Sequence, residues 1–448
     1  MNIIALLFFL VAAVALWVVP RKYAPVPLLA GCCYMTLGQG IDLGPISLPI
    51  FRMLMAVGLF RVIAKGERIA GSINKMDKVV IALGAWLLFA SFFHTGLDGS
   101  GPIFILGLLF NLLLTYFLIR VWTRTPDELE ELVKIIAILL VPVAIAMILE
   151  KVTSKNLFSI FGGVPENVLI REGKLRAQGP FKHPILAGTV GGTCIPLFIG
   201  IYRQHKTVAM IGIVSGLAMV VASASSGPVM SFLVSIFALM LWKIKHLVRA
   251  MVGIGVAVYL LLMVLMERPP YYLISKIDIS GGSTGWHRSF LIEQTFKHLP
   301  EWWLFGTDRT RHWMPNQGIA HSVNHTDITN YYINFGVMGG LAAMLLLVWA
   351  IIIAFRWVCA YQHEPSSFRN NNGFLVWAFG AALFSHAVSS ISVAYFDQSV
   401  LFFWLCLASI SSVYSTMVED DGEGFSEEDE EAEEEPEADG RDYRFRPA

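Results

Sequence analysis

The sequence predicts an all-α, polytopic membrane protein of about 12–13 transmembrane helices. Three observations lead there. Of 448 residues, 55% are hydrophobic and 15% charged, against about 25% charged in soluble domains, so the chain cannot cover its own surface in water. Its mean hydropathy is +0.61. Apolar runs long enough to cross about 30 Å of hydrocarbon recur from end to end. The formal charge of −1 hides a split, because residues 419–448 hold 15 of the 34 acidic side chains and 3 of the 33 basic ones. A basic body therefore precedes an acidic tail. The cysteines, Cys32, Cys33, Cys194, Cys359 and Cys406, sit in or beside apolar runs without metal-ligand spacing, so neither a disulfide framework nor a zinc site is expected. These totals exclude a soluble enzyme, a nucleic-acid binder and a cystine-rich secreted module.

The apolar centres fall at residues 3–19, 26–42, 49–64, 78–94, 102–121, 132–150, 183–202, 207–222, 227–242, 250–266, 329–355, 373–393 and 398–417. The first lacks a small-residue cleavage site and reads as a retained span. Short connections carrying Arg21/Lys22, Lys65/Arg68/Lys75/Lys78, Arg124, Arg203/Lys206, Lys243/Lys245/Arg249 and Arg356/Arg369 alternate with connections that have no Lys or Arg. The positive-inside rule makes the basic set cytoplasmic. Counting spans then puts the N-terminus outside and the acidic tail inside. Two longer outer connections break the pattern. Residues 151–182 carry Lys151, Lys155, Arg171, Lys174, Arg176 and Lys182; residues 267–328 carry Arg268, Lys276, Arg288, Lys297, Arg309 and Arg311. Cations placed against the topological rule suggest anion binding at the outer face. Span interiors hold few ionisable groups, with His386 the one candidate deep inside, and no comparable halves repeat. Both facts argue against an ion-coupled transporter.

Within the larger loop the spacing predicts a helix over residues 284–299, with Thr284 as N-cap, Pro300 as stop, and Trp286, Phe290, Ile292, Phe296 and Leu299 as its apolar stripe. Arg288 then projects near the positive end of the helix dipole, where it either binds a diphosphate or snorkels toward headgroups. The 302–305 stretch, Trp-Trp-Leu-Phe, reads as an interfacial belt, Gly306 as a tight turn, and Arg309 and Arg311 as phosphate ligands or solvated charges. His321 and His325 are four apart, but the Glu of the zincin pattern is missing, so no metal site is read there. His325 suits a general base, its pKa lowered by nearby arginines, or equally a structural cap for the next span.

Three elements then resemble a known family. The run His325-Thr-Asp-Ile-Thr-Asn-Tyr-Tyr-Ile-Asn-Phe-Gly336-Val-Met-Gly339-Gly340 resembles the hallmark of the O-antigen ligase and Wzy polymerase superfamily, a His closing the large outer loop with Gly eleven residues later. Leu175-Arg176-Ala-Gln-Gly179-Pro180-Phe181-Lys-His183-Pro184 resembles its Arg-x-x-Gly-x-Phe-x-x-Pro element, and Arg288 ahead of Leu299-Pro300 and Phe305-Gly306 resembles the third. Where the family commonly has Ser-Arg-Gly, this chain has Ser225-Ser226-Gly227, and Thr326 stands where many members have Asn.

The resemblance implies a GT-C-type bundle with amphipathic helices in a large periplasmic loop, and an inverting, metal-independent glycosyltransferase needing no cofactor. Its donor is an undecaprenyl-diphosphate-linked glycan, taken to a glycan acceptor at the periplasmic face of the bacterial inner membrane. Arg176 and Arg288 are implied as clamps on the donor diphosphate and His325 as the base; Arg309, Arg311, Lys182 and His321 are further substrate-binding candidates. A Wzy-type polymerase of exopolysaccharide or O-antigen repeat units is the reading, with an O-antigen ligase or protein O-oligosaccharyltransferase as the alternative and a lipid-linked saccharide flippase or transporter as the second. Implied partners are the bilayer and a chain-length regulator or other assembly protein, and no nucleic acid. The expected organisation is residues 1–150 as N-terminal spans, 151–417 as the catalytic membrane domain, and 418–448 as a disordered acidic cytoplasmic tail.

Overall fold

A computed structural model describes residues 1–44, 46–94, 101–276, 285–314, 324–362 and 372–433, with side chains through Val418 in the last stretch. It is almost wholly helical, and each of the thirteen apolar centres falls on a helix. In chain order these are α1 (Ile3–Val18), α2 (Pro25–Tyr34), α3 (Ile50–Lys65), α4 (Lys75–Ser91), α5 (Gly101–Trp122), α6 (Pro126–Thr153), α7 (Pro184–Gly200), α8 (Lys206–Ser223), α9 (Ser226–Met240) and α10 (Val248–Leu265). The short α11 (Gly285–Lys297) and α12 (Leu299–Trp302) follow, then α13 (Tyr331–Tyr361), α14 (Gly373–Ser389) and α15 (Val400–Glu433). Two hairpins, β1 (Gly40–Leu43) with β2 (Ile46–Pro49) and β3 (Leu169–Arg171) with β4 (Lys174–Arg176), are the strands among the described residues.

Six helical stretches among the described residues are long and apolar enough to cross a membrane: Gly101–Trp122, Pro126–Thr153, Lys206–Ser223, Ser226–Leu265, Tyr331–Tyr361 and Val400–Val418. Ile3–Val18, Pro184–Gly200 and Gly373–Ser389 are shorter apolar helices. The second apolar centre is a correction. Its helix has 10 residues, about 15 Å of rise, too short to cross. Met35 turns extended at the helix end, and the β1–β2 hairpin begins at Gly40, inside the stretch that hydropathy had assigned to a span.

Local chemistry sets the helix ends. Asn74 and Asp77 close a reciprocal capping box on α4. Thr125 caps α6, with Pro126 at its first turn and Asp127 and Glu128 against the positive end of the dipole. His183 caps α7, accepting at Nδ1 from Ile185 N at 3.1 Å. One hydrophobic core runs from Ala5 to Met417, with α7 against α8, α9 and α14, α4 against α13, and α5 against α15. The first 150 residues and the rest are thus packed into one body.

Two departures from regular packing matter below. The α13 helix breaks at Gly339 and Gly340, where Gly340 takes φ +72°. The 303–307 turn enters that break: Thr307 N donates to Val337 O at 2.7 Å and Leu341 N to Trp303 O at 2.8 Å, while Trp86 Nε1 donates to Gly339 O at 2.6 Å. A Cβ on Gly306 or Gly340 would overlap a backbone carbonyl of the other segment, and one on Gly336 would strike the Trp302 ring. The second departure is α10, an 18-residue apolar helix none of whose residues is buried.

Candidate active site

The connection between α6 and α7 is fastened from several sides. Glu150 accepts from Gln178 N at 3.1 Å and Gly179 N at 2.8 Å. Asn156 Nδ2 donates to Gly179 O at 2.9 Å, Gln398 Nε2 to Pro180 O at 3.0 Å, and Lys182 N to Asp397 Oδ2 at 2.8 Å. Gly179 turns with φ +58°. In the β3–β4 hairpin that precedes this stretch, Arg171 faces Lys174 and Leu169 faces Arg176. Alternation along a strand puts Arg171, Lys174 and Arg176 on one face. Glu172 and Gly173 both take positive φ at the turn, as a type I′ hairpin requires.

Arg176 is buried, and Ser225 in the α8–α9 turn accepts from its Nε at 3.3 Å and from its Nη2 at 2.7 Å. Burial lowers the Arg176 pKa to about 10, and the charges of Arg171 and Arg288 lower it further within that value. Arg288, on α11, is lowered by burial and then by Arg171, with Asp327 pulling the other way. So the two basic loops meet. Among the described residues none of the three guanidiniums forms a salt bridge. Arg288 Nε, Gln178 Oε1, Thr326 Oγ1 and Thr329 Oγ1 are buried with no hydrogen-bond partner among those residues. A buried guanidinium N–H left unmet within a group of cations suits a polar anionic ligand. His183 shares the field: burial and then Arg176 and Arg171 push its pKa down to about 4, so it is neutral.

His325 stands two residues before Asp327, the carboxylate whose charge acts on Arg288. His287 Nε2 meets Asp327 O at 3.4 Å, and the backbone before α13 is tied down by Thr310 N and Arg311 N donating to Asn324 O at 2.9 and 3.0 Å and by Thr326 N donating to Thr310 Oγ1 at 3.0 Å. Tyr331 N donates to Ser390 O at 2.7 Å, so the His325 and Arg176 segments both rest on the 390–399 connection. Burial lowers the His325 pKa; buried Asp308 opposes this and His94 reinforces it. The expected cause therefore needs correcting: burial and a neighbouring imidazole keep His325 neutral, where arginines had been expected to.

Other expectations fare differently. The α11 helix begins at Gly285, with Thr284 outside the described residues, and it buries Ser289, Leu291, Ile292 and Thr295 while Trp286 and Phe296 of the expected apolar stripe are exposed. Pro300 opens α12 instead of ending α11. Lys182 and Arg309 are exposed, Arg311 is half-buried, and none of the three is among the charges acting on Arg176, Arg288 or His325. His321 lies outside the described residues. Sequence reasoning counted Arg171 among the loop cations without singling it out, although the Glu-Gly hairpin turn puts it on one face with Arg176; it missed His183, Ser225, Asp308 and His94, of which Ser225, Asp308 and His94 depend on contacts between separate segments. A cleft of about 660 Å³ lined by Ile199, Arg203, Trp242, Lys243 and Phe374 opens at the opposite end of α7 from His183 and takes no part in this cluster.

Fold and site together define an all-α membrane protein whose two basic loops join in a cation-rich site that also holds the neutral His183 imidazole. No protein-family model matches the chain, and no curated protein matches it.

Proposed function

We propose that this protein is a glycosyltransferase of the O-antigen ligase and Wzy polymerase kind, set in the bacterial inner membrane as a GT-C-type bundle of about 12–13 spans with both basic loops in the periplasm. The reaction is inverting. His325 takes the proton of an acceptor hydroxyl, the oxygen attacks the anomeric carbon, and the bond to the undecaprenyl diphosphate breaks with its electron pair leaving on phosphate oxygen. Arg176, Arg288 and Arg171 neutralise that developing charge, which is where preorganised donors stabilise a transition state most. The polymerase reading, repeat unit added to repeat unit, is preferred; a ligase differs in its acceptor alone.

One observation carries this reading: the charges of Arg171 and of Arg288, from separate loops, both bear on buried Arg176, with which no carboxylate among the described residues pairs. Such a cluster is unstable unless an anion joins it. The test is purified protein in lipid nanodiscs with a lipid-diphosphate-linked saccharide. New glycosidic bonds are expected from the native chain, with Arg176→Ala and Arg288→Ala each reduced by about 10²–10³-fold while inserting normally. Transbilayer movement of the donor without bond formation establishes the flippase reading instead.

A further inference from the structure

We propose that His298, Glu301 and His312 bind a divalent first-row transition metal, Zn²⁺ before others, which fastens the 310–314 segment to the end of α11. The ligating atoms of the three residues lie within 4.8 Å of one another. His298 Nδ1 is 2.7 Å from Glu301 Oε1 and His312 Nε2 is 2.8 Å from Glu301 Oε2. Two imidazoles and a carboxylate make a donor set that suits zinc, with a fourth position left for water. Edges of a tetrahedral zinc site are about 3.3 Å long, so small side-chain rotations bring these atoms to bonding range.

What separates this cluster from ordinary surface ion pairs is the support behind it. Trp313 is buried, its indole N–H donates to Glu301 Oε2 at 3.0 Å, and its ring lies parallel to that of His298 at 5.6 Å. Glu301 and His298 are thereby aimed by a fixed group, the role that outer-shell partners play at metal centres. Pro300 starts a new helical turn, which brings Glu301 back beside His298.

The consequence reaches beyond the ligands. Residues 310 and 311 hold Asn324 O, and Thr310 Oγ1 holds Thr326 N. A metal on His312 therefore stiffens the strip that flanks His325, whatever reaction the protein performs. The test uses the untagged full chain in nanodiscs after chelator treatment, with Zn²⁺ added alone. Calorimetry is expected to show one tight equivalent, absent in Glu301→Gln and His312→Ala, and about 10–100-fold weaker in Trp313→Phe, which keeps the ring and loses the N–H. Hydrogen exchange at residues 307–314 and 324–327 is expected to slow with Zn²⁺ in the native chain and to ignore it in His312→Ala. Because His312 is exposed, that variant folds. Zn²⁺ binding equal in His312→Ala and the native chain, or exchange indifferent to the metal, overturns the proposal.

Discussion

At the scale of single residues the site works by opposing pairs. Burial and His94 drive the His325 imidazole toward neutrality while Asp308 draws it toward its charged form. A base must be unprotonated, so transfer activity is expected to fall as pH drops through a value below about 6.5, the ordinary imidazole pKa. Asp308→Asn removes the group that raises this pKa, so the acidic limb of the profile moves to still lower pH; a limb that stays put or moves up severs Asp308 from His325. His325→Ala abolishes transfer at every pH. Arg176 and Arg288 were legible in the sequence because the positive-inside rule disfavours cations in loops it would place outside. Their neutral supports were not. Ser225 and the buried Glu150 have no local signature, since each acts by touching a segment 49 or 28 residues away.

At the scale of elements the α13 break does the positioning. Gly339 and Gly340 interrupt a helix that would otherwise run unbroken, and the gap receives the 303–307 turn whose continuation carries Asp308. Gly340→Ala forces a side chain into φ +72° and onto the Leu304 carbonyl. Strain of that kind costs about 1–3 kcal/mol before the steric overlap is counted. The expected result is a lowered thermal midpoint together with faster amide exchange across residues 303–311; native exchange in that stretch would show the break to be incidental. The helices themselves were legible from apolar length and caps. The wedge was not, because Gly-Gly in an apolar run marks a possible bend without saying what fills it.

At the scale of the whole molecule, one buried pair joins the two ends of the chain. Arg120 Nη2 meets Asp77 Oδ2 at 2.7 Å with both side chains fully buried. Tyr116 Oη also donates to Asp77, and Arg120 donates to Ser411 O and Ser415 Oγ on α15 at 3.0 Å. Asp77→Ala strands the guanidinium in the core, a loss of about 3–5 kcal/mol, and should show as a sharply lower midpoint in detergent; an unchanged midpoint would mean that water reaches the pair. Hydropathy located the apolar helices but not their neighbours, so this α4–α5–α15 junction was invisible beforehand. The exposed α10 has a different consequence. Its 18 residues rise about 27 Å with no protein covering them, so on the proposed membrane placement bilayer thickness bears on its tilt. The 3₁₀ turn Pro270–Lys276 hangs from its far end and packs on α11, the helix that bears Arg288. Fatty-acid chain length is thus a variable in the height of that arginine, and short- and long-chain bilayers are different solvents for this protein.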